Sequence, residues 1–125
     1  MKNLLVLLAV LFTFALNAQA RLGVSYNDVY EEYRYLTPTV TTEKQGLCLD
    51  VTTSTVQLLY YFNEDKNCKT TIICPRTQGI LNGYVEKYNN NYVIVSNTEW
   101  KMYSQNAISS IKLVTHEDLI FFVWE

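Results

Sequence analysis

Cys48, Cys68, Cys74 and the single His116 are the side chains of this 125-residue chain best suited to nucleophilic or redox chemistry. A catalytic thiol at Cys74 would use Arg76 to lower its pKa and His116 as its base, which requires the histidine within hydrogen-bond reach. His116 instead stands in His116-Glu117-Asp118, a polar break between two apolar runs, where a hairpin turn belongs. Zinc finds no ligand spacing either: there is one histidine, no Cys-x-x-Cys and no His-x-x-x-His. Asn63-Glu64-Asp65-Lys66-Asn67 places oxygens at alternate positions, as a calcium loop begins. Cys68 and Cys74 then occupy the places where an EF-hand needs glycine and glutamate, so a hairpin loop is expected. A Gly-x-Ser-x-Gly elbow and a phosphate-cradling glycine loop are both absent from the sequence. The expectation is a protein without catalytic machinery, metal or cofactor, with a cysteine-dependent enzyme as the least favoured alternative.

The three cysteines leave at least one without an intramolecular bridge. Cys68 and Cys74 flank a strand that would span about 20 Å when extended, while bridged Cα atoms lie within about 7 Å. In a simple meander, Cys48 and Cys68 fall towards the same end of the sheet. A Cys48–Cys68 disulfide is therefore expected, with Cys74 as a remaining thiol packed as a small hydrophobe.

The compartment is read from the first twenty residues. Lys2, an apolar run from Leu4 to Leu16 and Asn17-Ala18-Gln19-Ala20 have the layout of a cleavable secretory signal, with Ala18 and Ala20 forming the A-x-A site. These thirteen residues, apolar but for Thr13, rise only about 20 Å as a helix, short of the roughly 30 Å hydrocarbon core, so no membrane span is expected after cleavage. The mature chain, secreted or periplasmic, would begin at Arg21, where a lipid-anchored protein would carry cysteine. It keeps nine basic against twelve acidic side chains. No basic stripe exists to hold a phosphate backbone, and nucleic acid is not an expected partner.

Residues 21–125 read as one α+β domain. Tyr26, Val29, Tyr30 and Tyr33 recur at i, i+3, i+4 and i+7, with Ser25 as N-cap, and predict a first helix. A second follows at an offset of 55 residues: Leu81, Tyr84, Val85 and Tyr88 repeat the apolar positions, while Asn82 and Glu86 match Asn27 and Glu31. Thr77 would cap it, and Asn89-Asn90-Asn91 would end it. After each helix come strand-like runs: 39–42, 47–53, 56–62 and 70–74 in the first unit, and 92–96, 100–104, 107–115 and 119–124 in the second. Such close spacing requires antiparallel pairing. Two helix-plus-meander units, about 21–75 and 76–125, would then form one antiparallel sheet with both helices on one face. The correspondence reads either as an internal repeat or as two amphipathic helices sharing the same periodicity. In layout alone it resembles certain secreted inhibitor proteins and small envelope assembly factors.

The chain also carries ten Tyr and two Trp. A buried Tyr needs a partner for its hydroxyl, which argues that some of them reach the surface. Tyr60 and Tyr61 point to opposite sheet faces, as do Phe121 and Phe122. If the helices cover one face, the other would expose members of these pairs together with Tyr103 or Trp124, so Tyr60, Tyr61, Tyr103, Phe122 and Trp124 are the candidates for a binding surface. The functional expectation is a small exported binding module for another envelope or secreted protein, or for a small ligand. The alternative is a structural or assembly protein that forms a homodimer.

Overall fold

The computed structural model describes residues 20–44, 46–105 and 107–125. The expected signal segment, apart from Ala20, lies outside these residues. Helix α1, Tyr26–Tyr33, begins where predicted: Ser25 is extended and its Oγ accepts from the Asp28 N–H at 3.3 Å. Helix α2, Gln78–Asn91, is capped in the same way by Thr77, whose Oγ1 accepts from the Ile80 N–H at 3.2 Å. Eight residues are too few for α1 to persist alone, so its stability comes from packing Val29 and Tyr33 onto the sheet.

The asparagine run does not stop α2 as expected. All three asparagines lie inside the helix, which ends as Tyr92 turns extended. Asn89 is held there by a tertiary bond, its Oδ1 accepting from the Trp100 indole N–H at 2.7 Å. A partner from another element thus outweighs the local preference of Asn for a helix end.

Eight strands follow: β1 (Thr39–Glu43), β2 (Gly46–Thr52), β3 (Val56–Phe62), β4 (Cys68–Pro75), β5 (Val93–Ser96), β6 (Glu99–Tyr103), β7 (Ile108–His116) and β8 (Leu119–Trp124). They form one antiparallel sheet in the order β1-β2-β3-β4-β8-β7-β6-β5. Each unit is a meander, and the two units meet through their last strands, β4 and β8. Turn chemistry behaves as the sequence suggests at 63–67, where the Asn63 Oδ1 accepts from the Asn67 N–H and Lys66 adopts a left-handed φ of 62°.

Side chains alternate between sheet faces, so one rung can be followed across the molecule. It runs Val40, Leu49, Tyr60, Thr71, Trp124, Ile111, Trp100, Ile94. This face carries both helices. Tyr33 stacks on Tyr60 at 5.7 Å, while Tyr88 meets Trp100, Phe122 and Trp124 edge to face at 5.0 to 5.7 Å. The neighbouring rungs point the other way and put half-buried Leu59, Ile72 and Val123 in a line on the uncovered face, with Tyr61, Phe121 and Val114 beside them.

The N-terminal stretch is tied to the covered face. Gly23 and Val24 exchange backbone hydrogen bonds with Cys68 at 2.8 Å each, and the Tyr26 N–H donates to the Lys66 carbonyl. Thr71, fully buried on β4, donates its hydroxyl to the Ala20 carbonyl. Residues 20–24 consequently lie over the central strands beside α2.

Candidate functional site

Of the five candidate surface aromatics, the structure places Tyr61 and Tyr103 on the uncovered face and the other three in the core. Tyr60 and Phe122 are 0% exposed and Trp124 is 4% exposed, all beneath the helices. Their hydroxyl and indole groups find partners inside the core, which removes the reason for them to seek the surface: the Tyr60 hydroxyl donates to that of Tyr33 at 3.0 Å, and the Trp124 Nε1–H donates to the Tyr88 hydroxyl at 3.1 Å. Tyr61 is half-buried and Tyr103 is 58% exposed on the uncovered face. Four strand spacings separate β3 from β6, about 19 Å, so these two do not form one site.

The cysteines also differ from expectation: no disulfide joins Cys48 to Cys68. Cys48 pairs with Tyr61, on the uncovered face. Cys68 pairs with Phe62 across a bulge at Tyr61/Phe62 and belongs to the core, its thiol 3.4 Å from the Thr71 hydroxyl. Opposite faces of one sheet cannot be bridged within disulfide reach. Burial raises the pKa of the Cys68 thiol, and also that of Cys74. In native protein, a small alkylating reagent is expected to label half-buried Cys74 before buried Cys48 and Cys68. Denaturant without reductant should then bring the count to three by intact mass; a count of one would restore the bridge.

The elements of thiol catalysis are not drawn together. Cys74, Arg76, Asp118 and the N-terminus of α2 border a shallow hollow of about 270 Å3, and exposed His116 does not line it. Arg76 extends to the Thr53 carbonyl at 3.2 Å. The desolvation that raises the Cys74 pKa works against a thiolate. Among the described residues, no cluster of three His, Cys, Asp or Glu could hold a metal.

A larger site lies on the covered face. A cavity of about 570 Å3 opens between α2, the 20–24 segment and the sheet. Tyr84, Lys87 and Tyr88 of α2, with Tyr92 just past it, form one wall; Ile73, Met102 and Trp124 contribute apolar floor; Ser104 and Ser109 add hydroxyls. The aromatic wall is preorganised: Tyr92 meets Trp124 edge-on at 5.6 Å, and Tyr88 contacts Tyr84, Tyr92 and Trp124 at 5.6 to 5.8 Å. Lys87 is half-buried with its Nζ 5.8 Å from the Tyr84 ring centroid, and desolvation lowers its pKa. Arg21 closes the N-terminal side, ion-paired to Glu32.

The sequence reasoning missed Lys87, Tyr92, Met102 and the N-terminal wall. Tyr84, Tyr88 and Tyr92 recur every four residues with Lys87 between them, a spacing that lines one helical stripe and was available as a signal. That the chain before α1 folds back over the sheet had no local sign.

The opposite end of the sheet is exposed. Edge strand β5 has three consecutive apolar residues, Val93, Ile94 and Val95, each about half exposed, and the paired Tyr103 and Ile108 lie close by. No helix among the described residues is long and apolar enough to cross a membrane. No protein-family model, curated protein or solved structure matches the chain.

Proposed function

We propose that the protein is an exported, non-enzymatic binding module that holds a small, largely apolar ligand between α2, its N-terminal segment and the sheet. The aromatic cavity carries this reading. Its volume of about 570 Å3 lies within the usual range for small-molecule sites, roughly 300 to 1,000 Å3. Its walls combine apolar surface with a few polar groups, the composition such sites share. Rigid Tyr and Trp rings give contact area at small entropic cost on binding. Export, with cleavage after Ala20, belongs to the same proposal and would put the new N-terminus at the cavity rim, since Arg21 lines it.

The test is titration of purified protein with decan-1-ol, followed by tryptophan fluorescence and native mass spectrometry. Saturable binding of one molecule is expected. Ser109→Phe, which fills the floor from β7, should weaken it at least tenfold while leaving the unfolding midpoint within a few degrees. Absence of saturable binding, or binding indifferent to the filled floor, would sink the proposal.

A second reading, assembly through a sheet edge, is favoured by one observation. Strand β5 offers unpaired backbone groups and apolar side chains with no charge of its own, whereas natural edges are commonly blunted by charge or proline. The same mass spectrum separates the two: a dimer without retained ligand would support assembly.

A further inference from the structure

Charge is distributed unevenly around the cavity. The chain as a whole has more acidic than basic residues, yet the cavity is lined by Arg21 and Lys87 and by no carboxylate among the described residues. Arg21 is already neutralised by Glu32, but its Nε–H is buried without a hydrogen-bond partner. Lys87 forms no ion pair among the described residues, and its Nζ lies 5.8 Å from the centroid of the Tyr84 ring. Removing an ammonium from water without an anion beside it is unfavourable, and burial depresses the Lys87 pKa accordingly. An anion entering the cavity would reverse that penalty and strengthen as water leaves. A cation would meet the Lys87 ammonium with no carboxylate among the described lining residues to offset it.

Resting on the cavity being a ligand site, we propose that its ligand is an amphipathic carboxylate, with the acid group at Lys87 and the apolar body against Tyr88, Tyr92 and Trp124. The Arg21 Nε–H and the Ser109 hydroxyl are further donors among the lining residues, while the Ser104 hydroxyl already donates to the Ala107 carbonyl at 3.0 Å. Apolar contact then supplies most of the affinity, and the ammonium selects the acid over neutral and cationic analogues.

Three ten-carbon probes isolate this choice: decanoate, decan-1-ol and decylammonium, titrated at pH 7.5 against purified protein by tryptophan fluorescence. Decanoate is expected to bind about tenfold more tightly than decan-1-ol, a difference of about 1.4 kcal/mol, and decylammonium most weakly. In Lys87→Met, and in the polar Lys87→Gln should the first variant fold poorly, the decanoate to decan-1-ol affinity ratio should fall to near one. Equal binding of acid and alcohol by the unaltered protein, tighter binding of decylammonium, or a preference that survives loss of Lys87 would each overturn the proposal. Failure of all three probes to bind would overturn the cavity reading itself.

Discussion

Replacing Tyr88 with alanine is expected to cost about 3 to 5 kcal/mol, the range for deleting a large buried aromatic, and Tyr88→Phe about 1 to 3 kcal/mol. The first figure follows from position. Tyr88 is nearly fully buried and its ring touches Tyr84, Tyr92, Trp100, Phe122 and Trp124. It joins α2 to β6 through Trp100 and to β8 through Phe122 and Trp124. Alanine would leave a void beneath a short helix that cannot slide to fill it, because Asn89 is fixed to Trp100. A domain of this size has on the order of 5 to 15 kcal/mol of stability in total, so Tyr88→Ala should remove a large fraction of it and lower the unfolding midpoint markedly. The phenylalanine variant keeps the packing and removes only the oxygen, which strands the buried Trp124 indole N–H. Urea unfolding followed by tryptophan fluorescence measures both. Equal losses in the two variants would mean that the hydrogen bond, and not the ring packing, holds α2 on the sheet.

The periodic part of this architecture was open to sequence reasoning. Ser25 and Thr77 cap their helices as their types suggest, and β3 and β8 span the residues the apolar runs mark. Antiparallel order within each unit follows from short turns. Tyr60 and Tyr61 show where this reasoning stops. Alternation establishes that they face opposite ways, but which of them meets the helices depends on which face of the whole sheet the helices cover. Both face assignments leave a tyrosine somewhere, and the sequence offers no local cost to separate them. Phe122 and Trp124 are settled by the same choice of face. Cys48 and Cys68 fail for a related reason: one extra residue in the bulge at Tyr61/Phe62 turns Cys68 to the core, and a bulge has no composition of its own there. The cavity is less legible still, since its walls come from five elements and from residues 20–24, which carry no periodic pattern.

Alkaline pH is expected to unfold the protein cooperatively between about pH 11 and 12, because the core tyrosines ionise only on unfolding. Tyr33, Tyr60 and Tyr88 each lie in the core, and desolvation is the first cause raising each phenol above its ordinary value. Below pH 10, the unfolded-chain value, both states keep these protons and the contribution is fully present. Above it, the unfolded chain releases protons that the folded state still holds at Tyr60 and Tyr88, so stability falls by about 1.4 kcal/mol per pH unit for each of these two, and the raised pKa of Tyr33 adds a loss of the same sign. Lys87 acts with the opposite sign. Its folded pKa is lowered, so stability rises with pH between that value and the ordinary lysine value, but one half-buried ammonium cannot match three buried phenols. Two pH units would therefore remove roughly 5 kcal/mol through Tyr60 and Tyr88 alone, comparable to the whole stability of a marginal domain. The measurement pairs tyrosinate absorbance at an ultraviolet wavelength with near-ultraviolet circular dichroism on one sample. A steep absorbance step should coincide with loss of the dichroism signal. Ionisation of all ten tyrosines with the dichroism intact would show that the Tyr33–Tyr60 and Tyr88–Trp124 contacts admit water while folded, contrary to their burial.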